Sequence, residues 1–108
     1  LIMRGSDINR QNNDDEVPLH KAAVGGHIAV VDILLSAKAD MSISDSEGAL
    51  PLHRAAWDGH GLVVSTLLDG GCDINSADNR GRTCLHGAAA EGHIDIVRLL
   101  LQRGADHT

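Results

Sequence analysis

Three copies of one pattern, set 33 residues apart, predict an all-α solenoid of stacked helix-turn-helix units rather than a single globular core. Pro18-Leu19-His20-Lys21 returns as Pro51-Leu52-His53-Arg54 and again as Cys84-Leu85-His86-Gly87. The pairs Ala22-Ala23, Ala55-Ala56 and Ala88-Ala89 keep the same step, as do Gly26-His27, Gly59-His60 and Gly92-His93. So do the apolar runs Ile33-Leu34-Leu35, Thr66-Leu67-Leu68 and Leu99-Leu100-Leu101. Composition agrees. Trp57 is the only aromatic residue among 108, and closely stacked helix pairs are filled by Ala, Leu, Val and Ile instead.

The third unit shows each element in turn. Asp78-Asn79-Arg80-Gly81-Arg82 is a turn, with Gly81 supplying a positive φ. Thr83 is placed to cap a helix that opens at Cys84. Pro18 and Pro51 hold that first position in the other units, where a missing N–H costs nothing. Ala88 and Ala89 allow close approach to a neighbouring unit, and Gly92 stops the helix. A second helix carries Ile94, Ile96, Val97, Leu100 and Leu101 over a wide apolar face, and Gly104 ends it.

Departures from the pattern carry physical expectations. Lys38 stands where Gly5, Gly71 and Gly104 end their helices; a lysine held at positive φ costs roughly 1 kcal/mol. Val17 and Leu50 replace the capping Thr83, a loss of about 1 kcal/mol each. In the middle unit Gly61 replaces Ile28 and Ile94, and Thr66 replaces Ile33 and Leu99. That unit is expected to be the soft spot.

Charge narrows the function. Nine basic against fifteen acidic side chains give a net charge of −6, which argues against nucleic acid and anionic membranes as partners. No apolar stretch reaches membrane-spanning length, and no basic-then-apolar leader is visible. Cys72 and Cys84 form no metal-type doublet, and a reduced, intracellular compartment, cytoplasmic or nuclear, is expected. Six of the seven histidines fall on two repeat positions, which predicts a structural role and no metal or other cofactor. Cys84 and His86 fill repeat slots rather than forming a nucleophile and base, so no catalytic residue is expected. Neither Gly25-Gly26 nor Gly70-Gly71 is followed by the Lys-Ser/Thr of a phosphate loop.

These units resemble ankyrin repeats, whose pattern is a 33-residue period with Thr-Pro-Leu-His-x-Ala. The resemblance implies L-shaped units, each a β-hairpin tip followed by two antiparallel helices. In this register residues 1–11 are the end of a truncated repeat, 12–44 and 45–77 are repeats, and 78–108 is a repeat lacking its last residues. Leu1-Ile2-Met3-Arg4-Gly5 aligns with Leu100 to Gly104, and no polar capping unit is visible, so a slice of a longer array is expected. Leu1 to Gly5 and Lys38-Ala39-Asp40 are also similar to stretches in the repeats of integrin-linked kinases.

The resemblance further implies a concave surface of tips and first helices that binds another protein. Its non-repeating positions are Asn13, Asp14, Glu16, Ser46, Glu47, Ala49, Asn79, Arg80 and Arg82 at the tips. On the first helices they are Lys21, Val24, Gly25, Arg54, Trp57, Asp58, Gly87, Ala90 and Glu91. Trp57 beside Arg54 and Asp58 has the composition of a binding hot spot on a free position, although packing on a neighbouring helix would also explain it. Lys21, Val24, Glu47, Asn79, Arg80, Arg82 and Glu91 surround it as candidate contacts. Asn9 and Asn75, each in Asp-Ile-Asn with a leucine eight residues upstream, resemble ankyrin asparagines hydroxylated by an oxygen-dependent enzyme; a turn-forming role is the alternative. The expected function is a non-catalytic scaffold or adaptor module. The alternatives are a regulatory or targeting domain of a larger enzyme, kinase or channel, and a spacer with no partner of its own.

Overall fold

A computed structural model describes residues 8–105. The expectations placed on Leu1 to Gly5 and on Asp106 to Thr108 fall outside them. Six helices follow in order: α1 (Pro18–Gly25), α2 (Ile28–Ser36), α3 (Pro51–Trp57), α4 (Gly61–Asp69), α5 (Cys84–Ala90) and α6 (Ile94–Gln102). Each odd helix packs on the even helix that follows it. The odd helices then stack as one layer, α1 on α3 on α5, and the even helices as a second, α2 on α4 on α6.

Small residues set the spacing of the first layer. Ala23, Ala55, Ala56 and Ala88 are fully buried, and Ala22 nearly so, because with one methyl each they let helix backbones approach. Leucines and valines fill the space between layers: Leu19, Val31, Leu52, Val63, Val64, Leu67 and Leu100 are inaccessible to solvent. Removing a side chain of that size from water is worth roughly 1.5–3 kcal/mol.

The second helices bury less than the sequence suggests. Ile33 and Ile94 are 66% and 64% exposed, and Leu101 is also exposed. On α6 only Ile96 and Leu100 are buried, so its apolar face is narrow. Of the residues that Thr66 and Gly61 replace, Ile33 and Ile94 are mostly exposed, while Ile28 and Leu99 are partly buried against the core. The middle unit nevertheless keeps an apolar core of its own. It holds Pro51, Leu52, His53, Ala55 and Ala56 buried on α3, and Val63, Val64 and Leu67 on α4. Val17 and Leu50, which lack the capping hydroxyl, are buried too, so the lost cap is offset by apolar burial.

Histidines tie unit to unit. His20 Nδ1 accepts from the Val17 N–H at 3.1 Å, which leaves Nε2–H to donate to the Ala49 carbonyl at 2.8 Å. His53 repeats this with the Leu50 N–H at 2.8 Å and the Ser76 carbonyl at 2.7 Å. The second set reaches back: His60 Nε2 donates to the Val24 carbonyl at 2.8 Å, and His93 Nε2 to that of Trp57 at 2.9 Å. Each of these rings thus satisfies a helix-end group that would otherwise lack a partner.

No strand is assigned among the described residues; the hairpin tips are turns. They align through single backbone bonds, Ser46 N–H to the Asp14 carbonyl and Asn79 N–H to that of Glu47, both 3.0 Å. An Asx residue organises each tip. Asn12 Oδ1 accepts from the Asp14 and Glu16 amides, Asp45 from Glu47 and Ala49, and Asp78 from Arg80 and Arg82. Lys38 does adopt the left-handed conformation, with φ 67° against 97° for Gly71 and 94° for Gly104. Asp15 is a second case, with φ 59° where the other tips have Gly48 and Gly81.

Candidate functional site

Between the tips and the first helices runs a groove of about 420 Å³, lined by Asp14, Glu16, Val24, Asp45, Ser46, Glu47, Arg54, Trp57 and Asp58. It brings together five of the residues proposed from sequence: Val24, Glu47, Arg54, Trp57 and Asp58. Lys21 points instead to the neighbouring surface beside Arg10 and Val30, where its ammonium meets Glu16 at 3.1 Å. Asn79, Arg80 and Glu91 are exposed but do not line the groove.

Arg54 is fixed rather than free. Its guanidinium grips Asp45 through Nε at 2.9 Å and Nη2 at 2.7 Å, and reaches Glu47 at 3.2 Å. Burial alone would raise the Asp45 carboxyl. The Arg54 hydrogen bonds and the Ala49 and Glu47 amides outweigh it and hold the group below the usual carboxylate range. Asp78 is held low in the same way, by the amides of Arg82 and Arg80 and by the Arg82 guanidinium against burial.

Trp57 is half-buried and packs on the next unit, so its position is not a free one. Its indole N–H donates to the Thr83 carbonyl at 3.2 Å. The Arg82 guanidinium lies 4.7 Å from the ring centroid, that of Arg54 5.5 Å, and the His53 ring 5.2 Å. The ring also occupies the space above Gly87, where a Cβ would collide with the indole Cδ1. Arg82, itself bonded to Asp78, therefore serves the α3–α5 junction as much as the surface. The absence of a side chain at Gly87, read against the Lys and Arg of the other units, was the sequence signal for this packing.

The remaining chemistry is closed off. Cys84 is buried, its Sγ donates to the Ile74 carbonyl at 3.3 Å, and burial pushes its thiol up to about 11. Burial does the same to Cys72, also to about 11, so neither is an activated nucleophile. His86 takes up the Thr83 amide on Nδ1 rather than facing the thiol. Among the described residues no group of three His, Cys, Asp or Glu is placed to hold a metal ion. No helix among them is long and apolar enough to cross a membrane. Asn9 Oδ1 accepts from the Asp40 amide at 2.9 Å, which joins successive units, and the Asn75 amide donates to Asp73 at 3.0 Å.

Helix pairs repeated every 33 residues, with aligned tips and a groove beside them, define a solenoid repeat module. The ankyrin-repeat family model matches three copies, over residues 1–78 and 64–108, and the chain belongs to that family. Ankyrin repeats are generally protein-interaction modules, non-catalytic in themselves, although they can sit in larger enzymes. No curated protein matches this chain at a significant level, so the short stretches similar to integrin-linked kinases carry no assignment.

Proposed function

We propose that this chain is a non-catalytic scaffold or adaptor segment that binds a partner protein in the groove between its tips and first helices. The observation that carries the proposal is the lining itself. A half-buried indole and the 39%-exposed Val24 lie among charged side chains held on a stacked-helix layer. Such a surface offers apolar contact at its centre and polar contacts at its rim, and a rigid scaffold loses little entropy on binding. We assign the chain to the interior of the cell, and its repeats to residues 12–44, 45–77 and 78–108. Asn9 and Asn75 are proposed hydroxylation sites, to be checked by the mass of the corresponding peptides from the native protein.

The test is selection of binders from a random peptide display library, followed by mapping with Val24→Glu and Arg80→Glu. Val24→Glu sits in the groove and should weaken selected binders at least tenfold. Arg80→Glu lies outside it and should change affinity little. Binders that ignore Val24→Glu would place recognition elsewhere.

A further inference from the structure

We infer that the groove accepts a basic segment of its partner, one in which Lys or Arg side chains flank a small apolar residue. This rests on the protein-binding function proposed above and adds the chemistry of the partner. The lining holds five carboxylates against a single cation, Arg54. That cation is already neutralised within the fold, since buried Asp45 takes two of its hydrogen bonds and Glu47 a third. Glu16 is met by Lys21 and by the Asn12 amide. The carboxylates of Asp14 and Asp58 are exposed and have no hydrogen-bond or ion-pair partner among the described residues. Both therefore stand free in a groove whose own positive charge is spent.

Like charges fixed on a stiff layer cannot move apart, so a mobile cation entering between them gains attraction from every wall. The apolar part of the groove fits the same ligand. Val24 and the Trp57 ring can lie along the methylene stems of Lys or Arg while the charged heads reach the carboxylates. An acidic or phosphorylated segment would instead meet repulsion from Asp14, Glu47 and Asp58, with no free cation in the lining to receive it.

Trp57 is the only aromatic residue of the chain and lines this groove, so its emission reports occupancy without a label. The probes are two short synthetic peptides, one of alternating Lys and Leu, the other with Glu in place of every Lys. The basic peptide should shift the emission saturably, and the shift should weaken as salt is raised. Asp14→Asn combined with Asp58→Asn should lower that affinity about tenfold at an unchanged melting midpoint, because neither carboxylate is bonded in the fold. Asp32→Asn combined with Asp95→Asn removes the same charge from the second helices and should leave affinity near the parent's. Equal binding of both peptides, or equal loss in the two double variants, would overturn the inference. Library-selected binders that are sensitive to Val24→Glu yet lack basic residues would also overturn it while leaving the protein-binding function standing.

Discussion

At the scale of single residues, strain and close approach make opposite predictions for adding and removing a side chain. Lys38 is exposed, sits at φ 67°, and its ammonium has no hydrogen-bond or ion-pair partner among the described residues. Its amide and that of Ala39 already make the helix-ending bonds, to the Leu35 and Leu34 carbonyls, both 2.9 Å. Lys38→Gly should keep those bonds and stabilise the chain by about 1 kcal/mol, seen as a higher urea midpoint. A lowered midpoint would mean that the lysine stem contributes more than its backbone costs. Gly87 is the reverse case. A methyl there would collide with the indole of Trp57, so Gly87→Ala should destabilise by about 1–3 kcal/mol. The ring would be displaced into water and its emission should move to longer wavelength. An unshifted spectrum would show that α5 can retreat instead.

Between elements, Trp57 is the clasp of α3 on α5. Its ring rests over Gly87, its N–H holds the Thr83 carbonyl at the start of α5, and two guanidinium groups flank it. The composition of the site alone suggests that truncating this ring would spare the fold. The packing says otherwise. Trp57→Ala should cost about 2 kcal/mol, less than a fully buried tryptophan because the residue is only partly buried. Chemical melts would measure it, and a parental midpoint would return Trp57 to the role of free anchor. Thr66→Leu, by contrast, should gain under about 1 kcal/mol, since of its counterparts Ile33 is mostly exposed and Leu99 only partly buried.

For the whole molecule, the His53 tie couples stacking to pH. Burial is the main cause that holds the His53 imidazole below its ordinary value, and its Nδ1 is committed to accepting the Leu50 N–H. The unfolded chain therefore takes up a proton at a higher pH than the folded one. Stability is complete above about pH 6.5 and falls as pH drops from there toward the lowered folded value. The melting midpoint should decline as pH falls through that window. His53→Asn should be less stable at neutral pH but flatter in the same window. A decline of equal slope in the variant would shift the effect to other groups. Because the rings bond to backbone carbonyls, chelators should leave the melt unchanged, and a zinc-dependent shift would contradict that assignment.

By itself the sequence determined the architecture: the 33-residue step, the Pro and Thr at helix starts, and the alanines of the close layer. These are local rules of turn, cap and period, and a solenoid needs little else because each unit repeats the contacts of the last. The left-handed Lys38 was legible for the same reason, by its register with Gly71 and Gly104. Asp15 stands in the same register with Gly48 and Gly81, but Asp is a usual turn residue, so its type alone does not mark the left-handed conformation. What only the tertiary structure decided was which side chains are spent. Arg54 and Arg82 look alike in a list of free positions, yet both are tied to buried Asp45 and Asp78, and Trp57 is partly consumed by Gly87. The two ion pairs close within their own units, whereas the packing of Trp57 on Gly87 depends on how far one unit sits from the next, a distance set by the alanine layer that no single repeat contains. They leave Asp14 and Asp58 as the free charges of the groove.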